Sequence, residues 1–422
     1  MSIEITAVHA TEILDSRSRP TLSVSLRTAD GATHRAGVPS GASTGSGEAV
    51  ELRDGDTARY DGKGTRTAVG NVNGPVNDAL ADRSFTDLAT LDQALIDLDG
   101  TENKSRLGAN AIVGVSMAAA RAFAASEGIP LWTFLTPEGV TPVLPVPHFN
   151  VVNGGAHAPN SLDFQEFMLA PLGASSYAEA VRAGAEVYAA LKARLAAAGF
   201  ATGLGDEGGF APDIAKPEDV LETLVDAISD AGYTPGRDGV AIALDPAASE
   251  FYRDGSYHVA GQALSSGEMI DYYTELVDRF PIWSIEDGLA EDDDEGWVRL
   301  TEQLGTKIQL VGDDNFVTNP AIIREAIARG VANAALIKVN QIGSVTETLE
   351  AMRVCRDAGY AAMISHRSGE TEDSFIADLA VGSGCGQLKS GAPARGERVA
   401  KYNRLLEIAE ENPEMALHRP VG

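Results

Sequence analysis

The segment Ala-Ala-Leu-Ile-Lys-Val at residues 334–339 places a lysine, Lys338, after a short apolar run. The same pattern recurs through the second half of the chain, where apolar runs lead to charged residues about 23 to 41 residues apart. The runs are Ala241–Leu244, Ile282–Ile285, Ile308–Val311, Ala334–Ile337, Ala361–Ser365 and Gly386–Leu388. One strand and helix of a (β/α)8 barrel take about 30 residues, and the chemistry of such barrels sits at the carboxyl ends of the strands. We therefore predict an α/β barrel in which these charged residues face one cavity.

The acidic residues of this pattern indicate a metal site. Asp245, Glu286 and Asp313 follow three of the runs. A single Asp after an apolar run is more often a helix cap or a turn residue. Three carboxylates in successive units, without matching His or Cys, favour a hard cation such as Mg²⁺ or Mn²⁺. Asp287 and Asp314 directly follow two of them and are interpreted as solvated or supporting groups rather than ligands.

The remaining polar residues of the pattern indicate proton transfer and anion binding. Because Val339 continues the apolar stretch, we interpret Lys338 as a strand-interior lysine that faces a polar cavity, where a divalent cation would lower its pKa toward that of a base. The sequence His-Arg-Ser at 366–368 is typical of an anion-binding turn, and Lys389 adds positive charge. Glu207 lies beside glycines and is either a candidate acid or an ordinary loop residue. His157 alone is more typical of a structural role.

The composition excludes some partners. The 422 residues are 44% hydrophobic and 22% charged, which is an ordinary balance for a globular protein. The formal net charge is −28, from 33 basic and 61 acidic residues. Such a charge argues against nucleic acid or an anionic membrane surface as the main partner. An anionic substrate would need cations concentrated locally, either as side chains or as bound metal.

The chain has the composition expected of a soluble cytoplasmic protein. Cys355 and Cys385 have no paired-ligand spacing and are expected to be unpaired apolar residues. The first ten residues lack the basic start and apolar core of a signal peptide. The most apolar long stretch, Ala109–Ala125, is interrupted by Asn110 and Arg121, and we interpret it as too short and polar to span a bilayer.

The first third of the chain is predicted to be a separate α+β domain. Alternating apolar residues in Thr21–Thr28 and Thr33–Val38, joined through Asp30-Gly31, predict a β-hairpin. Helical periodicity follows in Leu88–Leu98 and Ala109–Ala125. Four prolines between residues 136 and 147 mark the predicted junction, so we divide the chain into residues 1–138 and 139–422.

The second domain is predicted to begin with two consecutive strands, Leu144–Val152 and Asp163–Ala170. Two helices follow, the first capped by Ser176 and the second starting at Pro217. Strands and helices then alternate to the end of the chain. In the first domain, the small-residue loop Val38–Gly45 is either a plain connection or a mobile lid that offers hydroxyl oxygens, among them that of Ser43.

A series of specific short motifs runs along nearly the whole chain, from Glu12 to Ile408. They are Leu-Asp-Ser-Arg17, Pro-Ser-Gly-Ala-Ser-Thr-Gly45, Glu-Leu-Arg-Asp-Gly-Asp56, Leu-Gly-Ala-Asn-Ala111, Gln-Glu-Phe-Met168, Gly-Asp-Glu-Gly-Gly209, Ser-Ile-Glu-Asp287, Val-Gly-Asp-Asp314, Lys-Val-Asn-Gln-Ile-Gly343, Ser-His-Arg-Ser-Gly-Glu-Thr-Glu-Asp373 and Gly-Ala-Pro-Ala-Arg395. Together these motifs closely resemble the enolase (phosphopyruvate hydratase) family. The resemblance implies an N-terminal α+β domain and a C-terminal barrel of ββαα(βα)6 order. It also implies a Mg²⁺-dependent lyase of glycolysis that dehydrates 2-phosphoglycerate to phosphoenolpyruvate by reversible β-elimination of water.

The resemblance assigns a role to each matching position. It implies Asp245, Glu286 and Asp313 as ligands of a first Mg²⁺, and Ser43 as a ligand of a second Mg²⁺ that binds with the substrate. It implies Lys338 as the base at C2. The same resemblance implies Glu207, supported by Glu166 and Gln165, as the acid that expels the 3-hydroxyl group. The residues implied to hold the substrate's phosphate or carboxylate, or to line the pocket, are Arg367, Ser368, Lys389, His157 and His366.

Several positions depart from the family pattern, and they leave alternatives open. The departures are Ser18, Arg19, Ala158, Pro159, Pro246, Asp294, Asn315 and Gly396. They are compatible with a paralogue that dehydrates a carboxyphosphono analogue of 2-phosphoglycerate in natural-product biosynthesis. A non-catalytic binding or scaffold protein is a third alternative, although it would be expected to have lost catalytic residues. The family resemblance also implies a homodimer or a higher homo-oligomer.

Overall fold

The computed structural model describes residues 2–42 and 45–420. Its N-terminal part contains an antiparallel sheet of four strands in the order β3-β2-β1-β4. The strands are β1 Ile3–Leu14, β2 Pro20–Thr28, β3 Thr33–Gly37 and β4 Arg83–Phe85. The helices of this part are α1 Arg66–Asn71, α2 Asn77–Leu80, α3 Leu88–Asp99, α4 Ala109–Glu127 and α5 Leu131–Phe134, with a π-helical segment, Val72–Val76, between α1 and α2. The predicted hairpin is β2 and β3, whereas the long strand β1 was not predicted.

Helix α4 forms the core of this part. It packs on β2 and β3, and 83% of its most apolar 18-residue window is buried. By length and composition alone the helix could cross a membrane, which corrects the interpretation that it is too short and polar. Because the helix is mostly buried inside the protein, it packs as a core helix.

The C-terminal part is a closed barrel of eight strands in the order β11-β12-β13-β14-β15-β5-β6-β7. The strands of this part are β5 Val146–Asn153, β6 Glu166–Ala170, β7 Ala241–Asp245, β8 Tyr252–Arg253, β9 Ser256–Val259, β10 Gln262–Leu264, β11 Ile282–Glu286, β12 Gln309–Gly312, β13 Ala334–Ile337, β14 Ala361–Ser365 and β15 Gln387–Lys389. The helices are α6 Tyr177–Ala197, α7 Pro217–Asp230, α8 Ser266–Arg279, α9 Asp294–Leu304, α10 Pro320–Arg329, α11 Val339–Ile342, α12 Val345–Asp357, α13 Phe375–Gly382 and α14 Gly396–Glu411. Strands β8 to β10 form a small separate sheet that was not predicted.

The strand directions confirm the predicted ββαα(βα)6 order. Strand β6 is antiparallel to both β5 and β7, and the other barrel pairs are parallel. Barrel strands such as β7, β11 and β13 are buried on both faces, which explains why they read as unbroken apolar runs in the sequence.

The charged residues of the opening pattern stand at the carboxyl ends of the barrel strands. Asp245, Glu286 and Lys389 are the last residues of β7, β11 and β15. Asp313 and His366 come directly after β12 and β14. These five side chains therefore start from one rim of the barrel.

Lys338 differs from its predicted placement. It was interpreted as a residue inside a strand, but β13 ends at Ile337 and Lys338 is the N-cap residue of α11. The apolar residue Val339, which made the run look continuous, belongs to that short helix.

The N-terminal part touches the barrel at the rim that carries these residues. Ser40 and Gly369 exchange two backbone hydrogen bonds, of 2.8 and 2.9 Å. The Arg121 guanidinium donates to both oxygens of Asp373 at 2.9 and 2.6 Å. Asp92 on α3 accepts from the backbone N–H and the hydroxyl of Thr346 on α12, at 3.0 and 2.6 Å. The loop that follows β3 is thereby held against the barrel.

Candidate active site

One side of the barrel mouth consists of two lysines among three carboxylates, and we call Lys338, Lys389, Asp245, Glu286 and Asp313 the lysine wall. The Lys389 ammonium lies 3.2 Å from Asp245 Oδ2 and 2.6 Å from Glu286 Oε1. The Lys338 ammonium donates to Asp313 Oδ2. The three predicted metal ligands therefore converge on two ammonium groups.

The lysine wall keeps its ammonium groups charged. Burial alone would lower the pKa of Lys338, but the Asp313 carboxylate raises it above its ordinary value. Burial and the neighbouring Asp245 carboxylate raise the pKa of Glu286 well above its usual range, which the Lys389 ammonium only partly offsets. The lowering of the Lys338 pKa by a bound divalent cation stays a prediction.

The residues of the lysine wall fit a hard divalent cation. Their carboxylate oxygens are the donors that Mg²⁺ takes in proteins. Glu286 Oε2 is buried and has no hydrogen-bond partner in the described part of the chain. The Lys389 ammonium already lies between Asp245 and Glu286, so a positive charge is accommodated at this position.

Asp313 belongs to a tight acidic group that was only partly predicted. Within residues 2–42 and 45–420, Asp287, Asp313 and Asp314 form one of two groups whose possible ligand atoms lie within 4.8 Å of one another. Asp287 is buried and accepts the backbone N–H groups of Asp313 and Asp314 at 2.8 and 3.0 Å. Asp287 therefore fixes the backbone that carries Asp313, which is a supporting role of the kind that the sequence indicated.

Two histidines and two glutamates line the cavity beside the lysines of the lysine wall, and we call His157, His366, Glu166 and Glu207 the histidine wall. The two groups touch, since Glu166 Oε2 lies 3.5 Å from the Lys389 ammonium. His366 Nε2 lies 3.2 Å from Glu207 Oε2. His157 Nδ1 lies 3.7 Å from Glu166 Oε1 and 3.6 Å from Glu207 Oε1. Asn150, which was not predicted, donates to Glu207 Oε2 at 2.9 Å. The other tight group of possible ligand atoms is His157, Glu166 and Glu207.

Burial controls the charge of the histidine wall. It lowers the pKa of His366 to about 3 and also lowers the pKa of His157, so both rings are neutral near pH 7. Burial, together with the charge of Glu207, raises the pKa of Glu166 well above its usual range. Burial would raise the pKa of Glu207 as well, but His366, His157 and Arg398 hold it well below its usual range. Of the two glutamates, Glu166 therefore holds a proton more readily than Glu207.

The anion-binding turn lies between the two walls. The Arg367 guanidinium forms two hydrogen bonds with Glu48, Nη1 to Oε2 at 2.9 Å and Nη2 to Oε1 at 3.0 Å. The Ser368 hydroxyl lies 3.1 Å from His157 Nε2. Glu48 follows the loop after β3 and was not predicted to reach this site. The Glu48 carboxylate is therefore hydrogen-bonded to Arg367, the arginine that the sequence analysis assigned to the substrate phosphate.

A small polar cavity lies at the barrel mouth. Its lining residues are His157, Gln165, Glu166, Glu207, Asp245, Lys338, Ser365, His366, Arg367, Ser368 and Lys389. Glu286 and Asp313 lie behind this surface and contact it through the two lysines. Ser43, the remaining predicted site residue, lies outside the described residues. The other predicted residues are thus brought to one place, and Ser365 is an addition.

The departures from the family pattern do not line this cavity. Ser18 has a positive φ of 61°, a conformation that glycine adopts more easily. Asn315 follows the rim after Asp314, and its Oδ1 has no hydrogen-bond partner among the described residues. Gly396 begins α14, where a Cβ would meet only open space. The differences therefore change turns and helix starts around the site.

The fold and the cavity define a class of barrel enzymes in which a lysine, a hard-cation site and an acidic group line one small polar cavity. The comparison with known families identifies the enzyme family to which this barrel belongs. Residues 5–135 match the family model described as the enolase N-terminal domain, and residues 141–420 match the enolase C-terminal TIM barrel domain. The enolase of Rubrobacter xylanophilus is 58% identical over 421 residues, which cover 99% of this chain and 97% of that protein. This chain belongs to the enolase family.

Proposed function

We infer that this chain is a hydro-lyase that dehydrates 2-phosphoglycerate to phosphoenolpyruvate by reversible β-elimination of water. The observation that carries this conclusion is the 58% identity to an enolase over 99% of the chain. The cavity supports it, since the lining side chains are those that a proton abstraction and a hydroxide expulsion require. A paralogue acting on a carboxyphosphono analogue is not favoured, because the departures do not line the cavity.

The substrate is proposed to bind through the local cations that the net charge of −28 makes necessary. Arg367 and Ser368 would hold the phosphate, and Lys389 would hold the carboxylate. Gln165, whose buried Oε1 has no hydrogen-bond partner within the described ranges, and His157 would contact the remaining polar groups. Because Arg367 is paired with Glu48, phosphate binding requires an exchange of partners at that guanidinium.

Lys338 is proposed to take the proton from C2 of the substrate. It lines the cavity and is held by Asp313, so its position is fixed before the substrate binds. Asp245, Glu286 and Asp313 would hold a first Mg²⁺, and Ser43 with the substrate phosphate would hold a second. When bound, these cations would supply the positive charge that stabilises the carboxylate charge growing as the C2 proton leaves.

Glu207 is proposed to give a proton to the departing 3-hydroxyl group. This proton is proposed to reach Glu207 from Glu166, whose pKa burial raises, because both carboxyl groups lie near His157. His366 donates to Glu207 from the other side. Since Lys338 and Glu207 line one cavity but have different partners, the proton at C2 and the hydroxyl at C3 would leave toward different groups.

The domain boundaries, the number of metal ions, the location and the oligomeric state are further proposals. We propose a division into residues 1–138 and 139–422, because the two matched family models end and begin at residues 135 and 141. We propose two Mg²⁺ ions per site, a cytoplasmic location and a homodimer. The location is supported by the free thiols of Cys355 and Cys385, and light scattering would test the dimer.

The test of this function is the appearance of phosphoenolpyruvate absorbance when purified protein is mixed with 2-phosphoglycerate and Mg²⁺. We expect turnover that stops when a chelator removes the cation and returns when Mg²⁺ is restored. Absence of turnover at saturating Mg²⁺ would overturn the proposal. The exposed-lysine variant Lys192→Ala is the matched control and should keep full activity.

A further inference from the structure

Arg398 is a completely buried arginine of α14 that the proposed reaction does not use. Its guanidinium nevertheless contacts three consecutive residues of the site. Nη1 donates to His366 Nδ1 and to the Arg367 carbonyl, both at 2.6 Å. Nη2 donates to the Ser368 carbonyl at 2.6 Å. A charged side chain without exposed surface is retained only where its donors are used, and here they are used on the site.

The same guanidinium reaches two other segments. Nη2 lies 3.2 Å from the hydroxyl of Ser16, at the end of β1, and 3.2 Å from the carbonyl of Asp206, which precedes Glu207. Arg398 therefore contacts the backbone that carries Glu207 and the side chain of its partner His366. These contacts would orient both members of the His366–Glu207 pair.

The contact with His366 also fixes where the ring carries its proton. A guanidinium has donors only, so His366 Nδ1 must accept and must be unprotonated. The buried ring is neutral, and its single proton is then on Nε2. That nitrogen lies 3.2 Å from Glu207 Oε2 and can donate to it. With the opposite tautomer, the lone pair of Nε2 would face the carboxylate.

We propose that Arg398 is a positioning residue that sets the tautomer of His366, so that His366 donates a hydrogen bond to Glu207 during expulsion of the hydroxyl group. The inference rests on the proposed role of Glu207. It assigns to Arg398 an effect on one step, since its guanidinium contacts His366 and the backbone before Glu207, whereas Lys338 is held by Asp313. A residue that only joined segments of the fold would affect both steps.

The first experiment reads the tautomer in the wild-type protein. The chain has seven histidines, so a spectrum of ¹⁵N-labelled imidazoles can be assigned to His366 by comparison with a His366→Asn variant. We expect the proton of His366 on Nε2 and an unprotonated Nδ1. A proton on Nδ1 of His366 would overturn the proposal whether or not any variant folds, and whether or not 2-phosphoglycerate is the substrate.

The second experiment compares Arg398→Met with Arg404→Met. Arg404 lies on the same helix as Arg398, α14, and is paired with Asp378 of α13. Elimination is followed by phosphoenolpyruvate absorbance, and proton abstraction by exchange of the C2 hydrogen of 2-phosphoglycerate in D₂O. For Arg398→Met we expect elimination to fall by about 100-fold, at the low end for loss of acid–base assistance, while exchange changes by less than about threefold. Arg404→Met should keep both rates.

Three results would overturn the proposal: an equal fall in exchange and elimination, no fall in elimination, or an unchanged His366 spectrum in Arg398→Met. If that variant does not fold, Arg398→Lys serves instead, because one ammonium cannot replace the forked contacts and should give the same split between the two rates. Added guanidinium ion is expected to restore elimination in Arg398→Ala but not in Glu207→Gln. Loss of wild-type turnover with 2-phosphoglycerate would refute the proposed function and leave the wild-type tautomer as the deciding measurement.

Discussion

The lysine wall and the histidine wall are both buried, yet they hold charge in different ways. On the lysine wall, Lys389 is 2% exposed and is paired with carboxylates at 2.6 and 3.2 Å. On the histidine wall, His366 is also 2% exposed, but its ring is neutral and its neighbours are glutamates with displaced pKa values. Burial is the same on the two sides, so the partners decide the protonation. One small cavity can thus hold a cation-rich surface for an anion and a proton-bearing surface for a leaving group.

The largest effect is expected from a substitution in the lysine wall. Lys338→Ala should lower the turnover of 2-phosphoglycerate by about 10⁴-fold, because a positioned general base contributes up to about that factor. Exchange of the C2 hydrogen should disappear together with elimination. Both rates are measured as described for Arg398.

Lys338→Arg is the matched control for charge. Arginine keeps the positive charge beside Asp313 but cannot lose its proton in a protein. We expect it to be as inactive as Lys338→Ala. If Lys338→Arg kept more than about a tenth of the activity, the role of Lys338 would be charge pairing rather than proton abstraction.

The next largest effect is expected from a substitution in the histidine wall, and it tests whether the two walls serve different steps of the reaction. Glu207→Gln should lower elimination by about 10³-fold while exchange at C2 continues, since loss of an acid affects the second bond only. The exposed Glu302→Gln on α9 is the control and should be unchanged. Parallel loss of exchange in Glu207→Gln would show that the two walls do not divide the reaction.

Asp92 is a buried carboxyl group without lysine or histidine partners among the described residues, and it shows the effect of burial on the pKa in their absence. Burial raises the pKa of Asp92 to about 6, although Thr346 and Ser116 donate to it. Because this pKa is above the ordinary 3.8, the folded state gains stability from protonation at low pH and loses it as pH rises through about 6. Asp92→Asn removes this loss. Relative to wild type, the free energy of unfolding of the variant should rise by about 1.5 kcal/mol between about pH 5 and about pH 8.

Urea denaturation at the two pH values measures this difference. Asp97→Asn makes the same chemical change on the exposed side of α3 and should shift by less than about 0.5 kcal/mol. A difference for Asp92→Asn that did not depend on pH would mean that the carboxyl is not protonated in the folded state near pH 5.

The smallest expected effect lies outside both walls and concerns backbone conformation rather than charge. Ser18 has a φ of 61°, which costs a non-glycine residue free energy that glycine avoids. After the greater flexibility of glycine in the unfolded chain is subtracted, Ser18→Gly should stabilise the protein by about 0.5 kcal/mol. Ser23→Gly, in strand β2, should destabilise it by about 0.5 to 1 kcal/mol. Thermal unfolding of both variants gives the sign, and destabilisation by Ser18→Gly would contradict the explanation.

The lysine wall could be predicted from the sequence because its residues follow the strands directly. Spacing and apolar runs place Asp245, Glu286 and Lys389 at the ends of their strands, and the structure has them there. Lys338 was interpreted as lying inside a strand, since Val339, which begins a short helix, looks like the continuation of that strand.

Apart from His366, which follows β14, the histidine wall could not be predicted from spacing alone. Glu207 lies in the connection between α6 and α7, and only the resemblance to a family distinguished it from an ordinary loop residue. The pairing of Glu48 with Arg367 joins residues 319 positions apart, which no local pattern reports. Arg398 did leave a signal, because it stands at helical spacing with the buried residues Tyr402 and Leu405. A charged residue in an apolar stripe marks a buried polar contact.

The backbone pairing of Ser40 with Gly369 has a practical consequence for protein engineering. The barrel carries most of the reacting groups, but a segment from the other end of the sequence completes its mouth. A chain divided within residues 136–147 would therefore separate the reacting groups of the barrel from the segment that completes its mouth, and we expect neither fragment to be active alone. In a split-enzyme reporter cut at this junction, phosphoenolpyruvate absorbance would require two fused partners to bring the fragments together.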